Sequence, residues 1–516
     1  WVIDNILNYK NTFGKHSIDL TAVATRDRKK YEMIETTGSN FAANGNTTLG
    51  INGLHKATVQ KVNMDNNQRS NIGYLGRASY SYDDRYFFTG SYRRDGASVF
   101  GVNQKWGDFF AFGGAWRLSS EKFMSSISYL DDLKLKVSWG KNGNQGLDPY
   151  GTLSTINNGA SGGVRYEFGG SDIIYGLNQK ALGNADLGWE TTESWNTGFE
   201  SAWLGSRLFV DLDLYFSKTT DQIFTRDIPV MTGFKNMKSS MGQVNNRGVE
   251  LTIRSVNINT QDWYWTTNLT FWLNRNKLVH LYGEDLNGDG KEDDDISNSR
   301  FIGKPLGAIY GYQQDGIVQE TDIEYMKANG ATPGIPKYKD MDNDGVITSA
   351  DRVILGYSTP NFKLNMSNTI TYKNWDLYFM LTGTFGGGGY YQKSNKGAYL
   401  TNGSGRFNTN GIYIPWWTPE NKSNEYPAAT FNDDGGRFLG LQNRAFVRLQ
   451  DVTLSYTFRE PWVQKVNIQN LKVFFTAKNL FTITKWLGGD PEVGVTVSEN
   501  TYPVLTSFSL GANISF

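Results

Sequence analysis

Apolar and polar residues alternate with a period of two along most of the chain. Between Arg207 and Ser217, the residues Leu208, Val210, Leu212, Leu214 and Phe216 point one way and Phe209, Asp211, Asp213 and Tyr215 the other, the signature of a strand with two different faces. Val249, Leu251 and Ile253 repeat the pattern. Trp263, Trp265, Thr267, Leu269, Phe271 and Leu273 resume it, so these two neighbours predict a hairpin. Further alternating segments lie at 5–13, 16–24, 72–82, 86–94, 110–118, 133–139, 192–204, 362–372, 375–381, 446–458, 471–481 and 508–516. The total is about 15 strands, with no amphipathic helix of ordinary length among them. Within 446–458 the apolar phase slips between Leu449 and Val452, which predicts a bulge.

The connections are of two kinds. Some are tight, as at Asp83-Asp84 and Asn374, and others are very long, at 142–190, 282–361 and 384–443. Short turns at one end and long loops at the other are the pattern of an antiparallel transmembrane β-barrel. Aromatics stand near strand ends, with Tyr80, Tyr82 and Tyr86 around one turn and Trp263 and Trp265 at a strand start, where an interfacial girdle needs them. The last segment alternates Phe508, Leu510, Ala512, Ile514 and Phe516 with small polar residues and stops on the aromatic. Phe508, Leu510, Ile514 and Phe516 thereby resemble the signal read by the outer-membrane barrel assembly machinery. A soluble sandwich, a propeller or a tandem of carbohydrate-binding modules remains the alternative to the barrel.

Composition fits two-faced strands. Of the 516 residues, 73 are aromatic (15 Trp, 28 Tyr, 30 Phe), yet mean hydropathy is −0.48 and no run approaches the roughly 18 apolar residues of a membrane-spanning helix. Lys plus Arg equals Asp plus Glu at 51 each, so no bulk field recruits nucleic acid. The absence of Cys removes disulfides, thiolate metal sites and thiol catalysis. His16, His55 and His280 are scattered and form no Ser/His/Asp pattern; His280 reads as a strand-end residue. Carboxylate pairs such as Asp211 and Asp213 suit a polar lumen as well as a glycosidase site.

Several segments resemble the SusC/RagA-type TonB-dependent transporters of Bacteroidetes outer membranes. They are FFTGSYRRDGASVFG at 87–101, LKLKVSWGKNGNQ at 133–145, NADLGWETTE at 184–193, GQVNNRGVEL at 242–251, GKPLGAIYGYQQDG at 303–316, WTPEN at 417–421 and DPEVG at 490–494. They occur in the family's order across most of residues 1–516. The resemblance implies a 22-stranded plugged barrel that imports oligosaccharides or peptides. It also implies a SusD-like lipoprotein lid and energy from TonB-ExbB-ExbD delivered through a plug. About 15 strands leave roughly seven of the family's complement outside this chain. Residues 1–516 therefore read as the C-terminal part of such a barrel, embedded in outer-membrane lipid and completed by an N-terminal barrel part on the same or a separate polypeptide. A surface glycan-binding module and a β-rich glycoside hydrolase stand as the other function classes.

One motif carries metal chemistry. In DMDNDGVITSAD, Asp340, Asp342, Asp344, Val346 and Asp351 occupy positions 1, 3, 5, 7 and 12 of an EF-hand-like loop, with Gly345 at the sharp turn and Thr348 at position 9. Hard carboxylate oxygens in this spacing suit Ca²⁺, or Mg²⁺ with added waters, in a structural role within the insertion at 282–361. A second loop, DLNGDGKEDDDI, begins alike with Asp285, Asn287 and Asp289. Its twelfth position is Ile296, so Asp293 or Asp295 is needed to close it. Trp416-Trp417 and the GGGGYY segment at 386–391 are expected to pack loops together rather than to bind substrate.

Overall fold

The computed structural model describes residues 1–41, 47–157, 165–167, 173–389, 415–431, 440–459, 463, 468–486, 490–492 and 504–516. Fifteen strands form one sheet, and each neighbours the next in sequence. They are β1 (Val2–Phe13), β2 (His16–Ser39), β3 (Val59–Tyr82), β4 (Tyr86–Ala97), β5 (Trp106–Arg117), β6 (Leu130–Asn144), β7 (Glu190–Trp203) and β8 (Leu208–Asp227). The series continues with β9 (Asn236–Asn259), β10 (Trp263–His280), β11 (Phe362–Tyr372), β12 (Trp375–Phe385), β13 (Phe446–Phe458), β14 (Asn470–Thr484) and β15 (Ser507–Ser515). Every alternating segment of the sequence lies in or overlaps one of these strands. Among the described residues the helical elements are 3₁₀ segments and one α-helix, α1 (Ile323–Asn329).

Several strands are far longer than the alternation suggests. β2 and β3 have 24 residues each and pair along their full length, from His16↔Tyr82 to Ser39↔Val59. At roughly 3.3 Å per residue and a tilt near 45°, such strands rise by about 55 Å, well past a hydrocarbon core of about 30 Å. The distal half of this hairpin carries Lys29, Lys30, Asn63, Asn66 and Asn67. With no buried face to impose alternation there, the period-two signal is lost. The short turns, by contrast, are set by local chemistry. Asp83 and Asp84 have φ of 53° and 51°, the two positive values of a primed β-turn that matches strand twist, closed by Arg85 N–H on Tyr82 O at 3.0 Å. The bulge lies where the phase slip places it: Met380 and Leu381 face Asp451 and Leu449, leaving Gln450 as the extra residue.

Two compact units are distinguished, one comprising Trp1–Arg117, Lys136–Asn196 and Ser217–Val244, the other Leu118–Leu135, Thr197–Phe216 and Asn245–Phe516. In the first, one sheet face exposes Phe88, Tyr92, Phe110 and Phe112, while the other carries polar pairs such as Ser79–Thr89 at 3.1 Å. Rings gather at the short-turn end, where His16, Tyr82, Tyr86 and Trp116 form a cross-strand row with centroids 4.9–6.4 Å apart. In the second unit, Met366↔Leu381, Ile370↔Leu377↔Leu454 and Phe379↔Val452 make a continuous apolar face. Trp263–Tyr372 (4.4 Å) and Trp375–Tyr456 (4.8 Å) close it at the short-turn end. Trp265 departs from the expected girdle, because its indole N–H donates to the buried Asn368 carbonyl at 3.0 Å.

The opposite face of the second unit is polar. Asp376 accepts from Lys472 Nζ at 2.8 Å and Thr371 Oγ1 at 2.7 Å, and Thr453 bonds Thr476 at 2.9 Å. The dry cores lie mostly away from the sheet faces. Val99, Phe100, Leu147 and Leu187 form one cluster at the long-loop end of the first unit, and Tyr338, Ile347 and Phe431 form another among the loops of the second.

Candidate functional site

The signature segments of the first unit interlock. Gly101 N–H donates to Leu187 O at 2.9 Å, and a Cβ on Gly101 would lie 1.8 Å from Ala185 O, so only glycine admits this contact. Phe100 packs on Trp189 with centroids 4.6 Å apart. The VFG of one motif and the ADLGW of another are thus two halves of one joint.

In the second unit the insertion after β10 begins with a carboxylate clamp. Glu292 accepts backbone N–H bonds from Leu281 and Gly283, both at 2.7 Å, and lies 2.6 Å from His280 Nδ1. Withdrawal from water opposes its ionisation, but the two amides and His280 prevail and hold its carboxyl below the ordinary range. His280 does end a strand, β10.

The two acidic loops share one hydrogen-bond pattern. In the first, Asp340 accepts from Asn343 N–H (2.6 Å) and Gly345 N–H (2.7 Å), Asp342 from Asp344 N–H (3.3 Å), and Asp344 from Val346 N–H (2.8 Å). In the second, Asp285 accepts from Gly288 N–H (2.7 Å) and Gly290 N–H (2.9 Å), Asn287 from Asp289 N–H (2.8 Å), and Asp289 from Lys291 N–H (2.8 Å). Both loops take positive φ at positions 4 and 6: Asn343 (62°) and Gly345 (87°), Gly288 (74°) and Gly290 (80°). Closure differs. Asp351, fully buried, takes Met341 N–H and Thr348 N–H, each at 2.7 Å. Asp293 takes the equivalent amide of the second loop, Leu286 N–H at 2.5 Å, and holds Asn287 Nδ2 at 2.9 Å. Asp295 instead caps the turn at Ile296–Asn298 and pairs with Arg300.

Asp340, Asp342 and Asp351 each bring one carboxylate oxygen within 4.8 Å of the others, the one such group of three among the described residues. Ca²⁺–oxygen distances of 2.3–2.6 Å place ligand atoms up to about 5 Å apart across the ion, so this trio fits a divalent cation. Asp344 falls outside it, as do Asp285 and Asp289. Desolvation, with Asp344 and Asp351 nearby, raises the Asp342 carboxyl above its ordinary value, although Asp344 N–H works the other way.

The later loops are pinned by residues that the sequence did not single out. Arg448 is buried on the polar face of β13. It donates to Thr482 Oγ1 (2.9 Å), Asp490 Oδ1 (2.7 Å) and Glu492, while Asp490 Oδ2 accepts Val504 N–H at 2.9 Å. Arg444 holds the Pro491 carbonyl at 2.9 Å. These contacts give DPEVG its role. Its partners lie over 40 residues away, and the one available signal was a pair of arginines at 444 and 448 flanking a strand start. In WTPEN, Trp417 is 8% exposed and donates to Gln319 Oε1 at 2.9 Å, the expected loop packing. Tyr390 and Tyr391 lie outside the described residues.

A sheet of consecutive strands with an apolar, aromatic-edged face and a polar face, short turns at one end and built-up loops at the other, defines the wall of an outer-membrane β-barrel. Residues 2–480 match the family described as TonB dependent receptor-like, beta-barrel, and the chain belongs to that family. It is similar to TonB-dependent receptor P3 of Formosa agariphila, 27% identical over 532 residues, which cover 99% of this chain and 52% of that protein. It is also similar to TonB-dependent receptor SusC of Bacteroides thetaiotaomicron, 30% identical over 478 residues, covering 90% and 45%. Among solved structures, the RagAB peptide transporter shares the fold with a TM-score of 0.80 at 23% identity, over 100% of this chain and 55% of that one. The chain spans about half the length of the curated relatives it matches.

Proposed function

We propose that this chain forms the C-terminal barrel portion of a SusC-like transporter that imports oligosaccharides or peptides across the outer membrane. It would act beneath a SusD-like lipoprotein and be driven by TonB-ExbB-ExbD through a plug. The reading is carried by the polar face lying behind a lipid-facing one, within a chain of this family. β1 and β15 are the two end strands of the sheet. Lipid tolerates no unpaired strand edge, so further strands from the relatives' remaining length complete the barrel. The proposal contains no catalytic step.

The test is uptake in the host. Labelled oligosaccharide and peptide pools are offered to wild-type cells and to cells lacking the gene, with and without a proton uncoupler. One pool should enter only in untreated wild-type cells. Equal entry in all four conditions would refute the transport reading.

A structural divalent cation belongs to the same proposal. Asp340, Asp342 and Asp351 would hold Ca²⁺, with Asp344, the Val346 carbonyl and a water at Thr348 joining as the loop adjusts; Mg²⁺ would need more water. The second loop, with Asp285, Asn287, Asp289 and Asp293, is the weaker candidate. Calcium should raise the melting temperature of the full-length protein, and Asp340→Asn should abolish most of that rise. A calcium response unchanged in Asp340→Asn would move the ion elsewhere.

A further inference from the structure

A small cavity of about 170 Å³ lies in the second unit where β11, β12 and β13 begin or end at the loop side. Its wall includes a cross-strand row on the polar face, Lys363↔Thr384↔Phe446, together with Arg444 and Glu492. The charges in it do not cancel locally. Glu492 is the one carboxylate in the lining, and its Oε2 is already held by Arg448 Nη1. Among the described residues Arg444 donates to neutral groups, the Pro491 and Glu492 carbonyls. Among the described residues neither Arg444 nor Lys363 has a carboxylate within ion-pair distance; Lys363 Nζ instead lies 5.9 Å from the Trp272 ring.

A half-buried guanidinium whose hydrogen bonds go to carbonyls, with the Glu492 carboxylate acting on it only through space, leaves part of its desolvation cost unrecovered, and an arriving anion recovers it. Burial indeed holds the Arg444 guanidinium below its ordinary value. The cavity has room for a few waters or one small group, at about 30 Å³ per water. It is a subsite for one end of a longer molecule. Among the described lining residues the one aromatic is Phe446, whose ring is buried beneath the Arg448 guanidinium, 5.0 Å away, so charge is the dominant chemistry they offer.

We propose that Lys363 and Arg444 form a carboxylate-recognition subsite on the polar face of the barrel, so that the imported oligomer bears an anionic group. This rests on the transport reading and deepens it. A uronate and a peptide C-terminus both supply such a carboxylate, and the test separates the two sources.

The full-length transporter, purified with any co-purifying lipoprotein, is titrated calorimetrically with two matched pairs. One is a short peptide as free acid and as C-terminal amide, the other an oligogalacturonate and its methyl ester. The free acid of one pair should bind about tenfold or more tightly than its neutral twin, and the advantage should shrink with added salt. Lys363→Gln should erase it and Lys363→Arg retain it; Lys363 makes no hydrogen bond that the fold needs, so heat-modifiable migration should be unchanged in both. No acid preference in either pair, or a preference that survives Lys363→Gln, overturns the subsite. Binding is read without transport, so an acid-selective protein that fails the uptake test refutes the transport reading alone.

Discussion

Arg448 joins three groups, one from strand β14 and two from the loop that follows it, and Asp490 depends on it. Removing the guanidinium leaves the buried Asp490 carboxylate, among the described residues, with the backbone amides of Glu492 and Val504. Breaking a buried pair from one side typically costs about 3–5 kcal/mol, whereas removing both charges costs much less. Arg448→Met should therefore lower the urea midpoint of unfolding, followed by heat-modifiable gel migration, and Arg448→Met/Asp490→Asn should recover much of the loss. An equal midpoint in the two variants would show that the pair is not the linchpin. The sequence displayed Asp490 within a recognisable motif but hid its partner, because an ion pair between residues 42 positions apart leaves no local pattern. The acidic loops were legible for the opposite reason. All their candidate ligands lie within twelve residues, and a glycine with positive φ marks the turn. Even there, the choice of Asp293 over Asp295 as the closing carboxylate needed coordinates, since both stand at plausible spacing.

At the scale of elements, the clamp at the start of the insertion makes a pH-dependent joint. The Glu292 carboxyl is held below its ordinary value. A depressed carboxylate contributes stability that is complete above the unfolded-state value, near 4.3, and is lost as pH falls through the lower folded value. The segment 281–292 should stay protected at pH 5 and open progressively below about 4. Pepsin nicking across that range reports the opening. In Glu292→Gln the nicking should no longer rise steeply with acid, and a wild-type steepness in that variant would point to another group. Strand existence, hairpin order and the Gln450 bulge were all readable from alternation, since each has one face against lipid. The outer halves of β2 and β3 were not, because both faces there meet water. The short strand pairs within the insertion, such as Ala308–Tyr312 with Arg352–Tyr357, were likewise invisible at their length.

For the molecule as a whole, the apolar face and its ring-lined edge fix how the sheet sits in a bilayer, with tyrosine and tryptophan tips at the headgroup level. The last strand presents Phe508, Leu510 and Ile514 on an exposed face, and Phe508 stacks on Phe475 at 6.2 Å. Phe516 follows the strand and makes no ring contact among the described residues. If Phe516 serves as an assembly signal rather than as a packing residue, Phe516→Ala should lower the amount of transporter in the outer membrane several-fold while leaving the unfolding midpoint of the assembled fraction unchanged. A lowered midpoint with normal abundance would assign Phe516 to stability instead.

The contrast between the two ends of the sheet also decides where foreign sequence can be spliced in. The Asp83-Asp84 turn fixes the register of two strands through its paired positive φ values, and Lys15 and Arg85 hold its Asp83 carboxylate. An added residue there would turn the faces of one strand over relative to the other. The tip between β8 and β9 carries no such obligation: Val230 and Met231 are 83% and 92% exposed, and the turn ends on Gly233. That tip is a natural display port, where an epitope or a fluorophore tag would stand clear of the wall and report, on living cells, how many copies have reached the surface.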